Sequence, residues 1–135
     1  MKDSYNNVKT ELSLYLQALT ALADGDAIID LQGFESALIQ VFSGTITDGT
    51  LYTFELTHGD DSALSDGVPV PDADLLGSEP SFAAATEDDT VKEFGYIGSK
   101  RYLRVDLSAV TGSPVTGGIF GAAIVKGEPR HAPAV

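Results

Sequence analysis

The residues able to do proton or nucleophile chemistry are few and poorly placed for it. The 135-residue chain has no cysteine and only two histidines, His58 and His131. Without a thiol there is no cysteine nucleophile, disulfide, iron–sulfur cluster or cysteine-type zinc site. A nucleophilic triad would need one of the histidines as its base. His58 falls on the wet face or at the end of a strand-like segment and reads as a surface residue, while His131 lies in a tail. No serine sits in a nucleophile-elbow pattern, so hydrolase chemistry is not expected. Carboxylates recur close together at Asp24/Asp26, Asp60/Asp61/Asp66, Asp72/Asp74 and Asp88/Asp89, groups that could serve as a glycosidase acid and base or as ligands of a hard cation. Their spacing is diagnostic of neither: the loop from Asp60 to Asp66 lacks the order of an EF-hand loop and its terminal Glu, and Asp among Gly and Ser is what Asx-turns look like. Gly112, Gly117, Gly118 and Gly121 match neither a Walker loop nor a dinucleotide fingerprint. No enzymatic activity and no cofactor is expected.

The remaining chemistry is charge. The net charge is −12, unevenly spread: residues 11–91 hold 16 acids and no Lys or Arg, and residues 92–135 hold six basic and three acidic side chains. Such a field repels phosphate backbones, which disfavours a nucleic-acid partner. Lys100, Arg101 and Arg104 form the one basic concentration. Two readings of it stand: contact with an acidic partner or a neighbouring copy, or local pairing with Glu93 and Asp106 across strands. No apolar stretch is long enough to span a membrane, and Met1 to Asn7 lacks the charged-then-apolar order of a secretory signal, so a soluble protein that stays in the compartment where it is made is expected.

The elements that must position these groups read as strands. From Glu11 to Gln17 apolar and polar residues alternate, placing Leu12, Leu14 and Leu16 on one face of an extended segment; Leu12, Leu16, Leu19 and Ala23 also fit a helical stripe, and the strand is preferred. Ala27 to Leu31 is a short apolar run. Ser36 to Phe42 is apolar at nearly every position, as in a strand covered on both faces at the centre of a sheet. Asp48-Gly49 between strand-like flanks predicts a type I′ hairpin. After it, Tyr52, Phe54 and Leu56 alternate with Thr53, Glu55 and Thr57, one face buried and one wet. Residues 59–90 are acidic and turn-rich, a long surface excursion anchored at Leu75 and Leu76. Val91 to Ile97 and Arg101 to Leu107 read as strands, the second with Leu103, Val105 and Leu107 inward and Arg104 and Asp106 outward. Ile119 to Val125 is a small-residue strand. The expected fold is all-β, a single antiparallel β-sandwich or jelly roll over residues 1–135, with an N-terminal arm at 1–10 and an extended C-terminal tail at 127–135, both suited to ordering on a neighbouring subunit.

Several stretches are familiar as sequence. Ile29-Asp30-Leu31-Gln32-Gly33-Phe34-Glu35-Ser36-Ala37-Leu38, the Thr47-Asp48-Gly49-Thr50 turn, the loop around Asp60-Asp61-Ser62, the segment from Gly95 to Val105 and the ending Gly127-Glu128-Pro129-Arg130-His131-Ala132-Pro133 cover nearly the whole chain. Together they resemble a family of small proteins encoded among the head genes of tailed bacteriophages and prophages. The resemblance implies a virion structural protein, similar to the jelly-roll cement or decoration proteins of some podoviruses, made in the host cytoplasm and placed on the capsid exterior. It also implies the major capsid protein as partner and self-association as a dimer or trimer, with no nucleic-acid or membrane partner. Interface candidates are Lys100, Arg101, Arg104, Pro129, Arg130 and His131. Ala63-Leu64-Ser65-Asp66 stands where relatives tend to carry an aromatic residue after the acidic loop, so no ligand at that loop is carried over. A shorter resemblance, confined to Lys100 to Val105 and the acidic loop before it, is to discoidin-like sugar-binding modules. It leaves a glycan-binding alternative, with Tyr52 or Tyr96 as stacking platform. A head-completion or neck protein is a third reading.

Overall fold

The computed structural model describes residues 3–84 and 86–130. Its strands are β1 (Val8–Leu19), β2 (Ile29–Asp30), β3 (Phe34–Ile46), β4 (Leu51–Gly59), β5 (Val68–Pro69), β6 (Leu75–Leu76), β7 (Ser81–Ala83), β8 (Val91–Tyr96), β9 (Tyr102–Thr111) and β10 (Gly118–Pro129), with one 3-10 turn at Asp72–Asp74. All pairings are antiparallel. One sheet runs β1-β10-β3-β8-β6 and the other β2-β9-β4-β5, with β7 also paired to β4. The chain changes sheet at every connection between successive strands except β4 to β5, so the expected antiparallel β-sandwich is the fold.

The buried positions follow the period of two that a half-covered sheet imposes. Tyr52, Phe54 and Leu56 of β4 and Leu103, Val105 and Leu107 of β9 point inward and are essentially buried. From the opposite sheet Phe120 enters among Tyr52, Phe54 and Phe82, with ring centroids 4.8, 5.2 and 5.6 Å away. This aromatic cluster holds the two sheets together at one end, each tilted pair adding roughly 0.5–1.5 kcal/mol to what burial supplies.

Several expectations are corrected. Segment 12–23 does not adopt the helical alternative, and the Leu12, Leu14, Leu16 face is broken. Leu14 is buried while Leu12 and Leu16 are exposed. Irregularities in the register between Leu12 and Leu14, and again between Leu14 and Gln17, insert extra β1 residues against β10 and turn both Ser13 and Leu14 inward. Ser13 is satisfied there: its Oγ donates to Ala27 O at 3.0 Å and accepts from Val105 N–H at 2.9 Å. β3 is central, with β10 and β8 on either side, but it is not covered on both faces, because Leu38 is exposed while Ala37, Ile39 and Val41 are buried. Asp48-Gly49 is not a hairpin turn. It is the corner where the chain leaves β3 in one sheet for β4 in the other, and of the two residues only Gly49 has a positive φ, +84°. Asp48 instead uses its carboxylate to accept from the N–H groups of Val115, Thr116 and Gly117, which ties the turn before β10 to that corner.

The excursion at 59–90 carries β5, β6 and β7, and buries Val70, Leu75 and Phe82; Leu76 is exposed rather than an anchor. Parts of both expected arms are strand instead. Val8 to Thr10 belong to β1, paired with Gly127, Lys126 and Val125, and β10 continues through Pro129, which lies opposite Phe34. The stretch beyond Arg130, with His131, lies outside the described residues.

Candidate functional site

The candidate basic residues do not form one patch. Lys100 and Arg101 belong to the loop between β8 and β9, and Arg130 follows β10; these three meet at one end of the sandwich, on the lip of a cleft of about 520 Å3. Its walls come from the β2–β3 turn (Gln32), the start of β3 (Phe34, Glu35), the end of β8 (Tyr96) and the β8–β9 loop (Ile97). Local sequence explains how the loops reach it. Gly98 passes so close over the Tyr96 ring that a Cβ would stand 2.5 Å from its hydroxyl oxygen, so only glycine lets the loop fold back there. That Tyr96 oxygen then accepts the Lys100 N–H at 3.0 Å. On the other side the Arg130 N–H donates to Gly33 O at 2.8 Å, fastening the end of β10 to the β2–β3 turn.

Each cation on the lip has a carboxylate partner from a different element. Lys100 Nζ donates to Asp60 at 2.9 Å. Arg101 grips Asp30 through Nε and Nη2, both at 2.8 Å, and reaches Gln32 Oε1 at 2.6 Å. Arg130 pairs with Glu35. The Arg101 hydrogen bonds hold the Asp30 carboxyl below its ordinary range, and the Asp60 hydrogen bond raises Lys100. Beneath them Lys126 is buried, donating to Glu11 at 2.6 Å and Asp30 O at 3.2 Å, with the Phe34 ring centroid 4.7 Å from its Nζ. The lip is therefore a set of neutralised pairs, able to exchange partners with an external polar surface but not a bare cationic site.

Arg104 lies elsewhere. It faces outward from β9 onto Asp106, Nε to Oδ1 at 2.7 Å, and onto Asp24 at 3.6 Å. Asp106, expected on the wet side, is buried and also accepts from Gly25 N–H and Thr57 Oγ1, both at 2.8 Å. Of the two predicted local partners Asp106 is real, whereas Glu93 instead accepts from Gln40 at 2.7 Å. Pro129 is a strand residue opposite Phe34 rather than part of a free tail.

His58 is also corrected: it is buried, not a surface residue. Its Nδ1 lies 2.8 Å from Tyr96 Oη, and burial lowers its pKa while raising that of Tyr96. Tyr96 Oη thus links two partners, accepting from the Lys100 N–H and sharing a hydrogen bond with His58 Nδ1 in which the histidine tautomer sets the donor. The dyad braces the β8–β9 loop. Tyr52 and Tyr96 are both buried, so neither can act as a sugar-stacking platform. The loop carboxylates close turns: Asp66 accepts from Asp60 and Asp61 N–H, and Asp61 from Ala63 and Ser65 N–H. Among the described residues no three or more His, Asp or Glu gather as an ion site.

A feature that the strand patterns did not expose is the outward face of the first sheet. Leu12 and Leu16 of β1, Ile119 of β10, Leu38 of β3, Val91 of β8 and Leu76 of β6 lie across it, between 38% and 61% exposed. Glu93 is the single charged side chain at outward positions of β1, β10, β3 and β8. The signal was present as Leu38, Phe42 and Ile119 standing at positions whose alternation with the core should have made them polar. Comparison with protein-family models, with curated proteins and with solved structures finds no match for this chain.

Proposed function

We propose that this chain is a virion structural protein that decorates the outside of a tailed-phage head and clamps major capsid subunits. The reading rests on the resemblance of nearly the whole sequence to small phage head-gene proteins. The single structural observation that carries it is the apolar outward face of the β1-β10-β3-β8-β6 sheet, with Glu93 as the one charge at the outward positions of β1, β10, β3 and β8, on a molecule of net charge −12. A face of that kind serves contact with protein, not chemistry in solution. The capsid contact falls to the cleft end, where Lys100, Arg101 and Arg130 present exchangeable ion pairs. Stabilisation follows from mass action: a protein that binds only the expanded shell shifts the equilibrium toward it by its differential affinity, multiplied over many copies.

The test is cryo-electron microscopy of purified particles, with copy number measured against the major capsid protein. Occupancy of repeated two-fold or three-fold positions on the shell is the expected result, and a ring at one vertex would make it a neck protein. A Lys100→Glu/Arg101→Glu/Arg130→Glu variant should lose shell occupancy while keeping its fold. Arg104 is left out because its loss would damage the Asp106 network. Unchanged occupancy of that variant would remove the cleft end from the interface.

A further inference from the structure

We infer that the outward face of the β1-β10-β3-β8-β6 sheet is the seat of a second copy of this chain, packed face to face about a two-fold axis. The inference deepens the proposed function by naming the partner at that surface. Three observations carry it, beginning with flatness. Outward glycines lie under large neighbours: a Cβ on Gly121 would stand 2.5 Å from the Phe42 ring, one on Gly44 3.3 Å from Ile119, and one on Gly95 3.2 Å from Leu76. The glycines let those side chains lie down across the sheet, and the product is a flat, largely apolar plane whose polar break is the hydrogen-bonded Gln40–Glu93 pair. A plane of this kind fits another sheet, as the two layers of a sandwich fit each other at about 10 Å.

Charge is the second observation. With Glu93 the single outward charge, this face gives a charged partner nothing to complement. It is also where two copies of net charge −12 can meet with the fewest like charges in contact. In a face-to-face pair the two charged outer sheets would lie about 30 Å apart, three sheet spacings, against a Debye length of about 10 Å at 0.1 M salt. The third observation is the edge. β1 is an exposed edge strand, but its two irregularities against β10 spoil the straight ladder that edge-to-edge addition needs, which favours the face over that edge for self-association. Four strands wide and about six residues long, the plane covers roughly 400 Å2, about half of the roughly 800 Å2 per partner of stable complexes.

Sedimentation equilibrium of the full chain across the micromolar range tests this. The expected mass is twice the 14.1 kDa of the chain. A Leu12→Lys/Leu16→Lys variant, changed at exposed positions, should weaken association by at least about a hundredfold with an unchanged circular-dichroism spectrum, and Val115→Lys, at an 86% exposed site off the face, should not. A monomeric or trimeric wild type overturns the inference, as does a Leu12→Lys/Leu16→Lys variant that remains dimeric. If the wild type is a monomer and the double variant loses shell occupancy, the face belongs to the capsid protein. A dimer that finds no place on particles would overturn the proposed function and leave this inference standing.

Discussion

The two outer faces of the sandwich solve the same problem in opposite ways. On the β4–β9 face, outward positions hold Thr57, Arg104 and Asp106, joined by hydrogen bonds; Thr57 Oγ1 and Arg104 both end on Asp106. On the β1–β10–β3–β8 face, the equivalent positions hold Leu12, Ile119, Leu38 and Phe42, with glycines beneath the larger side chains. Both faces sit over the same core, so burial of the core does not explain the difference. A sheet face that ends in water is finished with polar groups satisfied among themselves, whereas one left apolar is finished by whatever lies on it.

The largest effect should come from breaking the polar face. Asp106→Ala removes the acceptor shared by Gly25, Thr57 and Arg104 and leaves a guanidinium mostly buried without its close partner. A loss of about 3 kcal/mol is expected, read as a fall in thermal midpoint. The association constant of whatever dimer remains folded should be unchanged, because that network lies on the far sheet. A change in dimerisation would mean that the two faces are coupled.

The second effect is a pH dependence from the buried end. Burial depresses the folded-state pKa of His58 below its ordinary 6.5. The unfolded chain therefore takes up the proton first, and stability that is complete above 6.5 falls as pH drops through that value toward the folded pKa. Protonation also fixes Nδ1 as a donor against Tyr96 Oη, which is already accepting from Lys100. Glu79 works the other way: burial raises its folded pKa above 4.5, so acidification toward that value favours the folded state. Denaturant melts at stepped pH should show a loss in the wild type smaller than that of Asp106→Ala. His58→Gln should abolish it and uncover the opposite slope of Glu79. A wild-type slope retained in His58→Gln would assign it to other groups. Asp30, Asp48, Asp61 and Asp66, all held below 3.8, contribute only at lower pH still.

These contrasts also show what a sequence pattern can carry. The alternations at Tyr52–Leu56 and Leu103–Leu107 were legible because a strand with one covered face obeys a strict period of two. The break at Ser13–Leu14 was not, since a bulge is a property of the pair of strands and β10 lies more than a hundred residues away. The Asp48-Gly49 corner looked like a hairpin because a glycine at positive φ serves both; nothing local says which sheet the next strand joins. Asp106 was placed in water because alternation sorts residues by polarity. The neighbour two positions back on the same face, Arg104, together with Thr57 from the next strand, is what makes its burial tolerable. The site divided in the same manner. Lys100 and Arg101 reach the cleft while Arg104, only three residues on, points into a different network, and Arg130 joins them through strand pairing invisible in the one-dimensional order.

The third effect sharpens the apolar face. Gly121→Ala places a methyl group against the Phe42 ring and 3.3 Å from the Leu16 backbone. The ring can swing away, so the cost to folding should be on the order of 1 kcal/mol. A ring standing up from the sheet spoils a flat contact, so association should fall further than stability does. If stability falls and association holds, flatness is not what the face uses.

The smallest effect on folding is the most informative about the face. Leu16 is 61% exposed in the single chain, and a lysine there keeps its ammonium in water and lays its methylenes where the leucine lay. Under dilute conditions where the chain is monomeric, Leu16→Lys should change stability by no more than about 0.5 kcal/mol, the usual range for exposed substitutions. At concentrations where the wild type is paired, the wild type should melt higher with each increase in concentration and Leu16→Lys should not, because only a partner that binds the folded chain makes the midpoint depend on concentration. Parallel concentration dependence in both proteins would detach Leu16 from any contact. Divergence would show that the apolar residues of this face contribute their stability across an interface, which is the reason an acidic chain keeps them at its surface.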